Sequence, residues 1–328
     1  MNPFRGRRAA IVTGAFALAV MSCSGYVTGN ADDGDELQSR TDGGAVVDAA
    51  PQDAAAAVDS KAPAEVRIDH VVIVSIDGGK PLSLKDSDMP IFDKMVRDGA
   101  STMKARTIFP SLTLPSHTSM LTGVGPDKHQ ILWNNYDPSK GIVKVSTVFS
   151  VAKKAGKTTA LIAGKEKFKH LHVPDSLDFA YYQDNTSIPL TAIATKTLTE
   201  KTPALTFLHY PDADAQGHGF GWGSPEQLSV LRNVDTGLGN LLGALGSRAQ
   251  HTVVIVTADH GGTGKGHGSA SDADTEIPWV AYGARVKRGY AVSAPVRQMD
   301  TAATALWLLG VPVPSDWDGK PVTTAFEP

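Results

Sequence analysis

The chain has 328 residues, 31 Lys and Arg against 34 Asp and Glu, and an apolar fraction of 41%. With one cysteine and enough apolar material for a sizeable core, it is neither a wholly disordered chain nor a small module stapled by disulfides. Residues 1–30 carry three Arg and no acid, residues 31–65 carry nine acids against Arg40 and Lys61, and the remainder is nearly neutral, so no basic field marks a groove for polymeric nucleic acid.

Arg5, Arg7 and Arg8 precede an apolar stretch over 9–21 that is short for a bilayer span. The stretch closes as Val20-Met21-Ser22-Cys23 and resembles a bacterial lipoprotein signal, although Met21 is an unusual occupant of its position. On that reading residues 1–22 are removed, lipid attaches to Cys23, and the protein is exported, anchored to a membrane in the periplasm or at the cell surface. An ordinary secretory signal with an incidental cysteine is the plainer alternative. Residues 23–65 read as the lipidated cysteine and a disordered acidic tether rich in Ala, Asp and Gly. Residues 66–328 form the expected folded body.

From Ile68 the pattern changes. Continuous apolar, β-branched runs predict strands buried on both faces at 70–76, 158–163, 204–208, 252–257 and 277–282. Helical spacing predicts helices over 89–96, 147–154, 188–199, 226–245 and 301–309, with Gly99, Gly156 and Gly310 as stops. This alternation implies a single doubly wound α/β domain, its sheet largely parallel and helices on both faces. Such sheets bind ligands beyond the carboxyl ends of their strands.

Three predicted strands run out into metal-ligand residue types. Asp77 follows the first; Asp212-Ala-Asp214-Ala-Gln-Gly-His218 follows another; Asp259-His260 follows a third, with His267 seven residues on from His260. Singly, each has a plain reading as a helix cap, an ion pair or a loop residue. Together they bring carboxylates and imidazoles, without sulfur, to one sheet edge, a donor set that suits Zn²⁺ and also admits Mn²⁺ or another divalent ion. A fourth segment, Arg106 to His117, brackets Thr113 with Pro110 and Pro115 before an apolar helical run. A hydroxyl there sits among unpaired backbone N–H groups that favour anions, and a divalent ion would make it a competent nucleophile. The bland alternative is a helix cap.

These motifs resemble the type I phosphodiesterase/nucleotide pyrophosphatase family of the alkaline phosphatase superfamily. VVIVSIDGGKP at 71–81, ARTIFPSLTLPSHTSMLTG at 105–123, HQILWNN at 129–135, DADAQGHG at 212–219, TADHGG at 257–262 and HG at 267–268 occur in the family's order. The resemblance implies two divalent ions: one on Asp214, His218 and His267, the other on Asp77, Asp259 and His260 and touching Thr113. It also implies Thr113 as nucleophile, a phosphothreonine intermediate, and Asn134 donating to a phosphoryl oxygen. One departure is the short spacing of His260 and His267, where nucleotide pyrophosphatases carry a long insertion. A second feature is Gly164-Lys165-Glu166-Lys167, because threonine-nucleophile phosphomonoesterases of the superfamily use a Lys/Arg pair; Lys165 is then a substrate-binding candidate, against a solvated lysine face.

The expected function is that of an exported metal-dependent phosphodiesterase acting on small esters such as nucleotides or headgroup diesters. A phosphomonoesterase with the same site is the alternative, and a non-catalytic metal-binding lipoprotein is the third reading. A sulfatase is disfavoured, since no Cys or Ser lies in a C/S-x-P-x-R context at the nucleophile.

Overall fold

A computed structural model describes residues 66–328; the expected signal segment, Cys23 and the acidic tether lie outside the described residues. Eight strands form one sheet: β1 (His70–Ile76), β2 (Ala100–Arg106), β3 (Thr159–Ala163), β4 (Phe179–Tyr182), β5 (Leu205–Tyr210), β6 (Thr252–Ala258), β7 (Glu276–Gly283) and β8 (Tyr290–Ala291). Their order is β4-β3-β5-β1-β6-β7-β2-β8. All neighbours pair parallel except β7, which is antiparallel to both β6 and β2. The expected largely parallel α/β sheet is therefore observed, with β7 reversed and with β2, β4 and β8 added to the strands anticipated.

The helices are α1 (Pro81–Asp86), α2 (Pro90–Asp98), α3 (Thr113–Thr122), α4 (Pro126–His129), α5 (Val148–Lys154), α6 (Ser187–Glu200), α7 (Asp212–Phe220), α8 (Pro225–Leu245), α9 (Asp272–Thr275) and α10 (Asp300–Leu308). Alternate residues of β1 feed opposite cores, as a two-residue side-chain period requires. Val71 and Ile73 pack with residues of α3, α5 and α10, whereas Val72, Val74 and Ile76 pack with residues of α2, α6 and α8. Helices thus cover both faces.

Gly156 and Gly310 close their helices in the left-handed region, at φ +77° and +68°. Gly99 differs. Its φ is −121°, so any residue fits its backbone. A Cβ there would instead lie 2.2 Å from the Ala281 carbonyl oxygen and 2.5 Å from that of Met95. It is glycine because α2 passes directly into β2 against β7.

β1, β3, β5 and β6 run in one direction, so Asp77, Lys165, α7 and Asp259 leave the sheet at the same edge. β2 runs with them, being antiparallel to the reversed β7, and the turn from Arg106 to α3 emerges there as well. Topology brings the candidates that follow these strands to one end of the domain, and Asn134, on the loop after α4, meets them through the Leu114 N–H at the start of α3.

Candidate metal centre and nucleophile

Each candidate histidine is held through one ring nitrogen. His260 Nδ1 lies 2.8 Å from the Gly261 carbonyl oxygen, His267 Nδ1 2.8 Å from that of Ser111, and His218 Nδ1 3.0 Å from that of Lys265. Donation from Nδ1–H leaves the Nε2 lone pair facing the site in all three, the arrangement that prepares an imidazole as a ligand.

Those Nε2 atoms face carboxylate oxygens. His260 Nε2 lies 3.3 Å from both Asp77 Oδ1 and Asp259 Oδ2. Asp214 Oδ1 lies 3.3 Å from His218 Nε2 and 3.4 Å from His267 Nε2. Two compact donor clusters result, Asp77–Asp259–His260 and Asp214–His260–His267, with His260 between them. His218 joins Asp214 from the more exposed side; its side chain is 48% accessible. An imidazole nitrogen facing carboxylate oxygens in a buried site calls for positive charge between them, a proton or a metal ion. Asp77 Oδ1, Asp259 Oδ2, Asp214 Oδ1 and His260 Nε2 are all buried without a hydrogen-bond partner. Buried polar atoms are rarely left so, and these four, all oxygen or imidazole nitrogen, fit divalent cations.

The electrostatics carry the same tension. Burial and the neighbouring Asp77 charge push the Asp259 carboxyl well above its usual range. Burial also opposes charge on Asp77, but Lys165, the hydrogen bond from His209 and the facing imidazole of His260 outweigh it and hold this carboxyl well below. His260 is driven the other way: burial disfavours its protonation, yet Asp259 and Asp77 raise it to about 9.

Thr113 is the first residue of α3 and is buried. The chain is held on both sides of it. His267 takes the Ser111 carbonyl, and His117 Nδ1 lies 2.8 Å from the Thr113 carbonyl oxygen and 3.4 Å from Asp259 Oδ2. His117 Nε2 meets Ser75 Oγ at 2.8 Å, and burial and the adjacent His209 keep the imidazole neutral. His209 Nε2 lies 2.9 Å from Asp77 Oδ2. Both histidines support the site without joining either donor cluster. Asn134 Oδ1 accepts from the Leu114 N–H at 2.9 Å, capping a helix whose own N-cap residue, Leu112, offers no side-chain cap. It also accepts from Lys167 Nζ at 3.3 Å.

Lys165 does not face solvent. Its Nζ lies 2.5 Å from Asp77 Oδ2 and 2.7 Å from Asp214 Oδ2. Lys167 is partly buried beside Asn134, while Lys169 pairs with Glu166 at the surface. Beside Lys165 and Lys167 opens a cleft of about 730 Å³, whose other lining residues include Asn135, Tyr136, Asp184 and Gln216.

Trp222 is a component that sequence reasoning passes over. Its indole Nε1–H donates to the Gly78 carbonyl, and the ring lies edge-on to His218 and His267. A Cβ on Gly217 or Gly262 would fall 2.8 or 2.2 Å from that ring. The glycines in Gly-His-Gly and His-Gly-Gly therefore make room for the tryptophan. Its own setting, Phe220-Gly-Trp222-Gly, was the available signal.

The profile of the type I phosphodiesterase / nucleotide pyrophosphatase family matches residues 71–267. Venom phosphodiesterase 2 of Crotalus adamanteus is 26% identical over 230 residues, covering 62% of this chain and 28% of that protein. Bis(5'-adenosyl)-triphosphatase enpp4 of Xenopus laevis is 26% identical over 210 residues, covering 58% and 46%. The chain therefore spans between about a quarter and a half of the length of these relatives. Among solved structures, an inactive variant of murine ectonucleotide pyrophosphatase/phosphodiesterase 5 in complex with AMP superposes with a TM-score of 0.68 at 17% identity, over 79% of this chain and all of that one. The profile match runs from Val71 in β1 to His267 and takes in every donor of both clusters, and the chain belongs to the type I phosphodiesterase / nucleotide pyrophosphatase family.

Proposed function

We propose that this protein is a divalent-metal-dependent phosphoester hydrolase acting on small phosphodiesters, with Thr113 as its nucleophile. The observation that carries the reading is the set of four buried, unpartnered donor atoms on Asp77, Asp214, Asp259 and His260, in two clusters beside the N-terminus of α3. Asp77, Asp259 and His260 would hold one ion, and Asp214, His218 and His267 the other; Zn²⁺ suits the donors, and Mn²⁺ is compatible. Bound there, the ions would acidify the nucleophilic hydroxyl and offset charge on the attacking and leaving oxygens. Relatives named as a phosphodiesterase and a bis(5'-adenosyl)-triphosphatase support the substrate class.

The chain's own groups supply the rest. Thr113 Oγ attacks phosphorus as the bond to the leaving oxygen breaks, and the departing oxygen takes up a proton. Water then cleaves the phosphothreonine, so two displacements give net retention. The Asn134 carbonyl oxygen is occupied by Leu114 and Lys167, which leaves its amide N–H groups to meet a phosphoryl oxygen. The N-terminus of α3 favours the same anion.

Hydrolysis of bis-p-nitrophenyl phosphate by the metal-loaded protein tests this. Thr113→Ala is expected to lower the rate by at least ~10³-fold with the fold intact, and a loss below ~10-fold removes Thr113 from the role. Lys167, beside Asn134, favours a second reading as a monoesterase, because a second cation offsets the extra charge of a monoester. The rate ratio of the diester to p-nitrophenyl phosphate separates the two. Export and a lipid on Cys23 belong to the same proposal, supported by the Arg-rich, apolar, Ser22-Cys23 sequence. Labelled fatty acid should be incorporated in cells by the wild type and not by Cys23→Ala.

A further inference from the structure

Lys165 reaches both halves of the centre at once. Its Nζ binds Oδ2 of Asp77 and Oδ2 of Asp214, one carboxylate from each cluster, while Oδ1 of each faces the imidazoles without a partner. The lysine thus occupies the outer oxygen of both carboxylates and turns the inner one into the site. Gly164 makes this reach possible. A Cβ there would lie 2.7 Å from Pro211 and from Leu190, so only glycine lets the exit of β3 close on the start of α7, which carries Asp214. The side chain is 18% accessible and its two partners 0% and 8%, so this is not a solvated surface pair.

Resting on the metal-centre reading above, we infer that Lys165 is a positioning residue: a built-in counter-cation that keeps the two clusters together before metal arrives and weakens the hold on metal once it is bound. Asp77, Asp214 and Asp259 are three carboxylates at 5% exposure or less. Without a cation among them their mutual repulsion opposes folding. With Lys165 in place, that repulsion is relieved in the metal-free protein. The same charge repels an incoming divalent ion across a short, dry path. The two effects have opposite sign for the metal-free and metal-loaded states, which separates a counter-cation from a side chain that only fills space.

The test uses the full chain stripped with a chelator and then titrated with zinc against a competing indicator. Lys165→Met, which keeps the length and loses the charge, is expected to lower the metal-free melting temperature by at least about 4 °C and to tighten zinc binding at least tenfold. Adding Asp214→Asn to Lys165→Met removes one buried negative charge and is expected to recover most of the lost metal-free stability. Unchanged melting and unchanged or weaker zinc affinity in Lys165→Met overturn the inference. So does a double variant no more stable than the single one. Should Lys165→Met not fold, a folded double variant supports the inference and an unfolded one overturns it. If the wild type takes up no zinc, the metal-centre reading fails, while the metal-free comparison still decides the role of Lys165.

Discussion

The imidazoles of His260 and His267 stack with centroids 3.7 Å apart and planes 12° from parallel. One ring faces the Asp77–Asp259 pair, the other faces Asp214, and each is pinned by Nδ1 to a different loop carbonyl. The stack joins the loop after β6 to the turn before Thr113. The two donor clusters are parts of one rigid centre, built from segments more than 180 residues apart in the chain.

The tryptophan wedge makes a stability prediction. Gly262→Ala places a Cβ 2.2 Å from the Trp222 ring, which is already fixed by its bond to Gly78. Neither group has room to yield. The variant is expected to lose about 2–3 kcal/mol of unfolding free energy in urea, with a change in tryptophan emission; a shift below ~0.5 kcal/mol contradicts the packing argument.

Asp235 predicts a loss remote from the centre. From α8 it accepts the N–H groups of Ile91 and Phe92, satisfying the first turn of α2, where Met89 gives no side-chain cap. Asp235→Ala strands two donors at a buried helix start. Its expected cost is about 2 kcal/mol, with the turnover of the folded fraction unchanged. Equal urea midpoints for variant and wild type would refute the capping role.

His129 predicts acid sensitivity. Its Nδ1 accepts the Ile131 N–H and its Nε2–H faces Ser119 Oγ, both at 3.0 Å, and burial lowers the imidazole to about 4. Between an unfolded value of about 6.5 and the folded value, the unfolded chain binds a proton that the folded chain refuses. Stability is therefore full above that window and falls as pH drops through it, by roughly 3 kcal/mol from this residue. Melting temperatures from pH 7 to 4 should decline less steeply in His129→Gln than in the wild type; identical slopes would count against the assignment.

What the sequence reveals and what it hides have physical causes. β1, β3, β5 and β6 are legible because strands buried on both faces are continuously apolar. The reversed direction of β7 is not, since Glu276–Gly283 has the same apolar character whichever way it runs. β2 is hidden by its composition: Ala-Ser-Thr-Met-Lys-Ala-Arg presents mixed polarity and a register shift between Thr102 and Ala105. At the site, Asp77, Asp214, Asp259, His260 and His267 are readable because parallel strand ends converge. The bridging contacts of Lys165 are not, because a lysine after a strand reads alike whether it meets water or two carboxylates. Trp222 is hidden for a similar reason, its role depending on glycines 5 and 40 positions away.

The central claim is that the two clusters hold a pair of divalent ions, and elemental analysis of the purified full chain tests it most directly. The account predicts two ions per wild-type chain, falling to one in Asp259→Asn with the fold retained. A wild-type chain that stays metal-free after equilibration with zinc and manganese, or an Asp259→Asn chain that still holds two ions, would contradict it.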